Sequence, residues 1–311
     1  MQRTVAFVMD PLERIHPAAD TSFALMLEAQ ARGFRVLHVA PKALSLAGSA
    51  LTIEGHEVEL QDTPTDYFKV LAPLRLAATD CAALFIRTDP PFDEHYLMAT
   101  WLLSFAEEAG VRVINSPRGI RGANEKLYAL IFADVCPETI ITTSRDEVKR
   151  FLKEHGGQAI AKPLDGHGGF GVMRLMAGDS NVNAIVDTLS VEGKKPILVQ
   201  AYLPEGAVGD KRLFMIDGKL AAALQRVPPA GDHRGNVHVG GSVKAAEVGD
   251  AERKIAERLG PRLKADGIYF AGLDVIADKL IEVNVTSPTL TRELKRLGGA
   301  DIPKLIFDSL R

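Results

Sequence analysis

The first third of the chain alternates continuous apolar segments with longer segments typical of helices. The apolar segments are TVAFVM, RVLHVA, CAALFIR and VRVIN, beginning at residues 4, 35, 81 and 111. Continuous apolar runs of this length are typical of strands buried on both faces, as in parallel sheets. Asp20 and Asp93 can cap the two helical segments, and Gly33 ends the first. This order predicts an α/β fold with a doubly wound parallel sheet, whose ligands bind beyond the carboxyl ends of the strands.

Polar residues follow two of these predicted strands. Asp10 stands after the first strand, and Arg87 and Asp89 stand after the third. At the carboxyl ends of parallel strands, such residues are well placed to bind a ligand. Asp-Pro pairs are also ordinary turn chemistry, so the alternative is that these residues only begin loops. Between the second and third strands, LTIEGHEVEL (residues 51–60) is predicted to form a small hairpin.

The composition indicates a globular protein and gives no sign of a polyanionic partner. Of 311 residues, 46% are apolar and 25% are charged, with a net charge of −3. We therefore expect no nucleic acid and no membrane as partners. The N-terminal MQRTVAFVMDP is too short in apolar residues for a signal peptide, and no apolar run has the length of a membrane span. Cys81 and Cys136 are expected to be reduced thiols of a cytoplasmic protein.

Two lysines in the middle third stand where an anion could bind. Asn124 is predicted to cap an α-helix over EKLYALIFA, which places Lys126 in its first turn. A helix N-terminus attracts anions and disfavours cations, so Lys126 either serves an anionic ligand or is an exposed side chain that tolerates a small penalty. Lys162 ends the apolar strand of QAIAKPLDGHGGFGVMRL. Its neighbours are the four glycines Gly166, Gly168, Gly169 and Gly171.

The glycine loop does not match the common nucleotide-binding motifs. GHGGFG fits GxGxxG formally, but the following FGVMRL is not typical of a helix, and no GK[ST] follows the glycines. A glycine loop between two strands can still lay backbone N–H groups over phosphates. The alternative is a mobile hairpin loop without a ligand.

The last third is predicted to contain two hairpins with a long loop and an amphipathic helix between them. The first hairpin turns at Asp217 and Gly218, and the second is YFAGLDVIADKLIEVNVTSP. The loop at residues 229–241 is rich in Gly and Pro and contains Arg234 and Asn236. A loop of this length is usually either functional or disordered, so it is either a lid or an ordinary surface loop.

Acidic and amide residues interrupt the second hairpin, where strand propensity does not favour them. Asp274 lies on its first strand, and Glu282 and Asn284 alternate with apolar residues on its second strand. Carboxylate and amide oxygens are the ligands that Mg²⁺ prefers. The alternative is a solvent-exposed polar face, although Leu280 and Ile276 are predicted to share that face. If Asp274 and Glu282 share a metal, they must lie opposite each other, which predicts a three-residue loop at 277–279 rather than a bulge.

Taken together, these motifs resemble those of the ATP-grasp ligases, and more closely those of bacterial glutathione synthetase. The similar segments occur in order along nearly the whole chain: MDP, DTSFALMLEAQARG, RTDPPFD, NEKLYAL, KPLDGHGG, GDKRLF, RGNVHVGG, GLDVIAD and EVNVTSPT. The resemblance implies ATP-driven joining of γ-glutamylcysteine to glycine by a cytoplasmic homotetramer that uses Mg²⁺, with Mn²⁺ able to replace it. Thr88, where a basic residue is expected, and the bulky GGFGVMR segment depart from the family pattern.

The resemblance also implies domain boundaries and residue roles. It places an N-terminal α/β domain at residues 1–122 and a two-lobed, α+β ATP-grasp domain at 123–203 and 204–311. The residues implied for ATP are Lys126, Lys162, Gly166, Gly168, Gly169, Gln200, Tyr202, Leu203 and Asp210. Those implied for the dipeptide are Arg87, Asn236 and Ser287, and those for the metal are Asp274, Glu282 and Asn284. Those implied for catalysis, at the charge of the acyl phosphate, are Arg226 and Arg234.

Two other functions remain open from the sequence. One is a sister ligase with different substrates, such as a D-alanine or glutamate ligase. The features that discriminate it are RTDPPFD and the loop around Arg234. The other is a non-catalytic nucleotide-binding module of the same fold, which the intact set of lysine, glutamate and asparagine residues disfavours.

Overall fold

The computed structural model describes residues 3–229 and 240–310. In chain order, strands β1 to β16 are Thr4–Val8, Arg35–Val39, Leu44–Ala47, Ala50–Leu60, Phe68–Ala77, Cys81–Ile86, Val113–Ile114, Thr139–Thr142, Gln158–Pro163, Met173–Met176, Ile197–Ala201, Asp210–Ile216, Lys219–Val227, Ser242–Ala245, Phe270–Ile276 and Lys279–Asn284. Helices α1 to α8 are Thr21–Ala31, Glu94–Glu108, Pro117–Gly122, Arg145–Glu154, Val182–Leu189, Asp250–Ala265, Thr291–Arg296 and Ile302–Asp308. The 3-10 helices are Leu12–Arg14, Pro41–Ala43, Ala78–Asp80, Tyr128–Val135 and Pro204–Val208. No helix within the described ranges is long and apolar enough to cross a membrane.

The N-terminal sheet confirms the predicted α/β fold. Its order is β3-β4-β2-β1-β6-β7, with β5 paired to β4, and β2, β1, β6 and β7 run parallel. The predicted helix caps also form, because Asp20 Oδ1 accepts from Phe23 N at 2.6 Å and Asp93 Oδ1 accepts from Tyr96 N at 2.9 Å. The carboxyl ends of β1 and β6 bring Asp10 close to Asp89, whose backbone N–H donates to the Asp10 carboxylate at 2.9 Å.

The prediction of a hairpin at residues 51–60 is wrong, because this segment is the single strand β4. Gly55 lies at its centre without turning the chain. A Cβ on Gly55 would lie 2.3 Å from the His38 carbonyl oxygen of β2. Glycine is therefore required here for close approach of two backbones rather than for a turn.

Two further sheets follow along the chain. The middle sheet is antiparallel, with the order β10-β9-β11-β8, and its core includes residues of α4 and α5. The C-terminal sheet is also antiparallel, with the order β14-β13-β12-β15-β16, and α6 packs on one of its faces. The predicted turn at Asp217 and Gly218 joins β12 to β13, as both residues have positive φ.

The α-helix predicted after Asn124 is replaced by a turn and a 3-10 helix. Asn124 Oδ1 accepts from the backbone N–H groups of Lys126 and Leu127, at 3.2 and 3.1 Å. The 3-10 helix begins only at Tyr128 and is kinked at Phe132. Lys126 therefore lies in the turn before this helix and not in the first turn of an α-helix.

The prediction of a three-residue loop in the last hairpin is also wrong, although the pairing of Asp274 with Glu282 that it would produce is present. Ile276 pairs with Lys279, which leaves a two-residue turn at 277–278. The register then shifts at Ile281, so that Asp274 lies opposite Glu282. An extra residue in one strand is a β-bulge, and it restores the pairing that a regular two-residue turn would lose.

The bulge also corrects the predicted position of Leu280. Leu280 is fully buried and packs with Val283 and Val285 in the core between this sheet and α6. It therefore does not share a face with Glu282, because the bulge interrupts the strict alternation of the strand.

The C-terminal helix returns to the N-terminal sheet. Phe307 of α8 stacks on Phe85 of β6, with ring centroids 5.5 Å apart, and lies 6.1 Å from the Phe34 ring. Ile302 and Ile306 are buried in the same core, which covers one face of β1, β2 and β6. The last residues of the chain thus complete the core of the first sheet.

Candidate active site

The C-terminal sheet arranges charged side chains in a row across four strands. Asp210 of β12 lies opposite Arg226 of β13, and Arg212 of β12 lies opposite Asp274 of β15. Asp274 in turn lies opposite Glu282 of β16. Opposite residues in antiparallel strands project to the same face, so the register alone gathers these side chains.

Asp274 is held by two arginines. Its Oδ1 accepts from Arg212 Nε at 2.5 Å, and its Oδ2 accepts from Arg212 Nη2 at 3.1 Å and lies 2.7 Å from Arg226 Nη2. Burial alone would raise the pKa of Asp274, but the two guanidinium groups hold that pKa below its ordinary value. Arg226 also donates to Asp210 through Nε at 2.9 Å. The predicted catalytic Arg226 is therefore at the site, with its guanidinium paired to two buried carboxylates.

Lys126 connects the glycine loop to the last strand. Its Nζ donates to the Gly166 carbonyl oxygen at 2.6 Å and lies 3.2 Å from Glu282 Oε1. The lysine is buried, so this ion pair is shielded from solvent. Two predicted ligand-binding elements thus meet through one side chain.

Lys162 lies on β9 with Gln200 nearby on the neighbouring strand β11. Lys162 Nζ donates to Gln200 Oε1 at 3.4 Å, and Gln200 Nε2 donates to Thr139 Oγ1 at 3.1 Å. Burial lowers the pKa of Lys162, and the nearby Lys126 lowers it further. Carboxylates oppose this effect, led by Glu282. Both lysines therefore share one electrostatic environment with the carboxylates of the C-terminal sheet, Asp210, Asp274 and Glu282.

The glycine loop adopts conformations that favour glycine. Gly168 and Gly169 have φ angles of 61° and 84°, in the left-handed region. A Cβ on Gly166 would lie 2.7 Å from Pro163 Cγ. Phe170 at the loop tip is 78% exposed. The loop is therefore a defined turn that requires glycine, and its backbone lies beside Lys126.

The remaining nucleotide-binding predictions fall at the end of β11. Tyr202 N donates to Gln158 O at 3.3 Å, and the Arg174 guanidinium lies 4.2 Å from the centre of the Tyr202 ring. Leu203 O accepts from Gly206 N at 3.0 Å. The chain thus turns at residues 203–206, just beyond β11, the strand that places Gln200 next to Lys162.

The predicted metal ligands have the chemistry of a hard-cation site. Asp274 and Glu282 face each other, and Asn284 lies two residues further along the same strand. Asn284 uses its Nδ2 to donate to Gly272 O at 3.1 Å, so its amide oxygen is not the atom used there. Across the described ranges, no three His, Cys, Asp or Glu side chains cluster as a metal site. The two carboxylates and one amide of Asp274, Glu282 and Asn284 instead fit an ion like Mg²⁺, which takes few protein oxygens and completes its shell with water and phosphate.

Arg87 and Ser287, both predicted to bind the dipeptide, come from distant parts of the chain. Arg87 at the end of β6 donates through Nε to Ser22 Oγ at 2.9 Å and through Nη2 to Pro288 O at 3.0 Å. Burial lowers the pKa of Arg87, and the nearby Asp20 carboxylate opposes this effect. Ser287 is partly buried in the turn that Arg87 contacts.

Arg234, Asn236 and nearly all of the predicted lid at 229–241 lie outside the described residues. Sequence reasoning missed two residues that the structure places at the site, Arg212 and Glu125. A signal for Arg212 was present, because it lies two residues after Asp210 in a strand whose last four residues are apolar, so both side chains face the same side of the sheet. Glu125 had no such signal beyond its position next to Lys126.

Comparisons with known proteins agree with this geometry. Residues 4–121 match the N-terminal domain of prokaryotic glutathione synthetase, and residues 125–299 match its ATP-grasp domain. The glutathione synthetase of Rhodopseudomonas palustris is 40% identical over 308 residues, covering 99% of this chain and 98% of that protein. The one from Xanthomonas axonopodis pv. citri is 40% identical over 311 residues, covering 100% and 98%.

The chain belongs to the prokaryotic glutathione synthetase family. This confirms the resemblance found in the sequence, and it makes the chain an ATP-grasp ligase.

Solved structures agree at the level of the fold. The ATP-grasp ligase PsnB, complexed with a minimal precursor, superposes with a TM-score of 0.65 at 19% identity, covering 100% of this chain and 99% of PsnB. The D-cycloserine synthetase DcsG superposes with a TM-score of 0.68 at 15% identity, covering 99% and 100%.

Proposed function

We propose that this chain uses ATP to join γ-glutamylcysteine to glycine, giving glutathione, ADP and phosphate. Relatives that match over nearly the full length are glutathione synthetases, which favours this reaction over that of a sister ligase or a non-catalytic module. The structural observation that carries the proposal is the meeting of two buried lysines with Asp274 and Glu282. Such a site combines cations for phosphate with carboxylates for a metal ion.

The chemistry requires an activated carboxylate, because a carboxylate does not react with an amine at neutral pH. The dipeptide carboxylate attacks the γ-phosphorus of ATP and releases ADP, and the resulting acyl phosphate is attacked by the glycine amine with loss of phosphate. Phosphoryl transfer depends on positioning and on charge neutralisation. Lys126 and Lys162 would hold phosphate oxygens beneath the Gly166–Gly169 loop.

Other residues would place the remaining parts of the substrates. Backbone groups at Gln200–Leu203 would receive adenine, and Asp210 would lie near the ribose or phosphates. Arg87 and Ser287 would bind the dipeptide, and Arg226 would stabilise negative charge on the acyl phosphate. The same roles are proposed for Asn236 with the dipeptide and for Arg234 at the acyl phosphate.

Asp274, Glu282 and Asn284 would hold Mg²⁺. Bound there, Mg²⁺ would neutralise the negative charge that develops during phosphoryl transfer. Mn²⁺ uses similar oxygen ligands and would replace it. Arg212 and Arg226 would remain beside Asp274 and keep its carboxylate ionised.

The test is to incubate the protein with ATP, Mg²⁺, γ-glutamylcysteine and glycine, and to measure the mass of the product and the phosphate released. We expect glutathione and one phosphate per peptide. Parallel reactions with D-alanine or with glutamate as acceptor test the sister ligases. ATP binding without turnover in any mixture would instead support a nucleotide-binding module.

We also propose a cytoplasmic homo-oligomer, a tetramer by family resemblance. Its support in the structure is a row of exposed apolar residues on α2, where Met98, Trp101 and Phe105 are 51%, 49% and 39% exposed. Their spacing places them on one side of the helix, and exposed apolar patches of this kind are typical of protein interfaces.

We expect Trp101→Lys to reduce the mass of the assembly in analytical ultracentrifugation, because it places a charge in this apolar row. Leu305→Lys, at a residue 41% exposed on α8, is the matched control and should leave the mass unchanged. An unchanged mass for Trp101→Lys would rule out this surface as the interface.

A further inference from the structure

The carboxylate of Glu125 caps the end of the last strand. Its Oε1 accepts from Val285 N at 2.8 Å, from Thr286 N at 3.0 Å and from Thr286 Oγ1 at 2.9 Å. Its backbone oxygen accepts from Val283 N at 2.9 Å. Residue 125 thus holds one strand end through both main chain and side chain.

The segment that Glu125 caps is also held from its other side. Val285 to Pro288 follow the proposed metal ligand Asn284 and include Ser287. Arg87 donates to Pro288 O at 3.0 Å, from the end of a strand in the N-terminal sheet. The segment 285–288 is therefore fixed between Glu125 and Arg87.

Glu125 is also bonded in sequence to Lys126, which contacts both the glycine loop and Glu282. One peptide bond separates the residue that fixes segment 285–288 from the residue that reaches the proposed phosphate site. A carboxylate accepting three hydrogen bonds makes a strong and directional connection. Burial raises the pKa of Glu125, and the nearby Glu282 adds to this effect.

We propose that Glu125 is a positioning residue that sets the distance between the phosphate-binding lysine and the dipeptide-binding segment. This inference rests on the proposed function, since it uses the roles of Lys126 and Ser287 given there. Reacting atoms must lie within a few tenths of an ångström of their productive geometry, and a misplacement of about 1 Å costs roughly 100-fold in rate. Removing the carboxylate should therefore affect turnover more than it affects stability.

The test uses Glu125→Ala, Glu125→Gln and a matched control, Glu252→Ala. Glu252 is also buried and accepts from a backbone N–H, that of Gly249 at 2.7 Å. Its other partner is Lys211, which projects to the opposite face of β12 from Arg212. We expect Glu125→Ala to raise the KM for γ-glutamylcysteine and to lower kcat/KM by about 100-fold. Glu125→Gln keeps an acceptor oxygen and should recover at least tenfold of that loss.

The control should lower the melting temperature as much as Glu125→Ala does, while its KM and kcat stay within twofold of the unmodified protein. If the role of Glu125 is purely structural, Glu125→Ala should likewise lower the melting temperature while its KM and kcat stay within twofold of the unmodified protein. If Glu125→Ala retains KM and kcat within twofold at a temperature where it is folded, the proposal is overturned.

Hydrogen exchange of the 280–290 segment separates this proposal from the proposed function. The Val285 and Thr286 amides should exchange faster in Glu125→Ala than in the unmodified protein. In Glu252→Ala their exchange rates should be unchanged. Both expectations hold whatever reaction the protein catalyses. Faster exchange in a protein that makes no glutathione would support the connection while refuting the proposed function. Unchanged exchange would overturn the connection itself.

Discussion

Single side chains at this site are held by partners of opposite charge before any substrate binds. Lys126 is paired with Glu282, and Asp274 is paired with Arg212 and Arg226. Buried pairs of this kind leave a costly unpaired charge when one partner is removed. A substitution that removes one of these charges should therefore keep the shape and the hydrogen-bonding capacity of the side chain, so that the fold is retained.

Glu282→Gln should keep the fold, since glutamine is nearly isosteric with glutamate, but should lose most of the ligase activity. An amide oxygen is a weaker ligand for Mg²⁺ than a carboxylate, so a higher Mg²⁺ concentration should restore part of the rate. The measurement is initial rate against Mg²⁺ concentration. The control is Glu54→Gln, which removes the charge of an exposed ion pair with Arg75. An unchanged rate at low Mg²⁺ would contradict the role of Glu282.

The affinity for ATP should fall as pH rises, and this fall should begin at a lower pH than it would if Lys162 were an exposed lysine. The pKa of Lys162 is lowered by burial, so its ammonium is lost from the free protein at a lower pH than usual. Over the same window, this group makes folding more favourable as pH rises, because the unfolded chain binds more protons. Calorimetric titration with ATP from about pH 7 to about pH 10 checks the fall.

Lys162→Arg is the control for this pH dependence, because a guanidinium stays charged throughout that range. Its affinity for ATP should be nearly independent of pH. A parallel fall in both proteins would assign the pH dependence to another group.

Among the elements, the long parallel strands and capped helices were predictable from the sequence. Continuous apolar runs and aspartates at helix starts are local signals, and they identified β1, β2, β6, α1 and α2. The bulge at Ile281 was not predictable, because a bulge and a three-residue loop give the same pairing of Asp274 with Glu282. Only the residues opposite each other could be inferred, not the geometry that places them there.

The segment after Asn124 shows tertiary contacts overriding local propensity. EKLYALIFA contains good helix formers and predicts an α-helix. In the structure, Glu125 and Lys126 are instead bound to the last strand and to the glycine loop. Those partners are more than 30 residues away in sequence, so no local pattern could indicate them.

Gly55→Ala should destabilise the N-terminal sheet. The added Cβ would lie 2.3 Å from His38 O and 2.9 Å from Val39 Cγ2, so β2 and β4 would have to separate. We expect a loss of about 1–3 kcal/mol in the free energy of unfolding, as for other overpacked sites. Chemical denaturation measures this loss.

Gly122→Ala is the control for that substitution. No atom lies within 4 Å of the Cβ it would add, and Gly122 ends helix α3 without a positive φ. Its free energy of unfolding should be nearly unchanged. Equal stability of the two variants would show that β2 and β4 tolerate the extra methyl group.

For the whole molecule, the return of α8 makes the N-terminal core depend on the C-terminus. Phe307→Ala should lower the free energy of unfolding by about 3–5 kcal/mol, because it removes a buried ring between Phe34 and Phe85. Leu305→Ala, on the same helix but 41% exposed, should cost far less. Urea denaturation compares the two, and similar midpoints would mean that α8 does not complete this core.

During synthesis on the ribosome, the core of the first sheet is completed late, because α8 is made long after the strands that it covers. The strands of the first sheet are all made by residue 114, but Phe307 emerges nearly 200 residues later. At about 5–20 residues per second, that interval is roughly 10–40 s. Throughout it, the apolar face that awaits α8 stays uncovered on the nascent chain. The sheet that is synthesised first is therefore covered late, which gives chaperones a long period of access to the part of this chain that is made earliest.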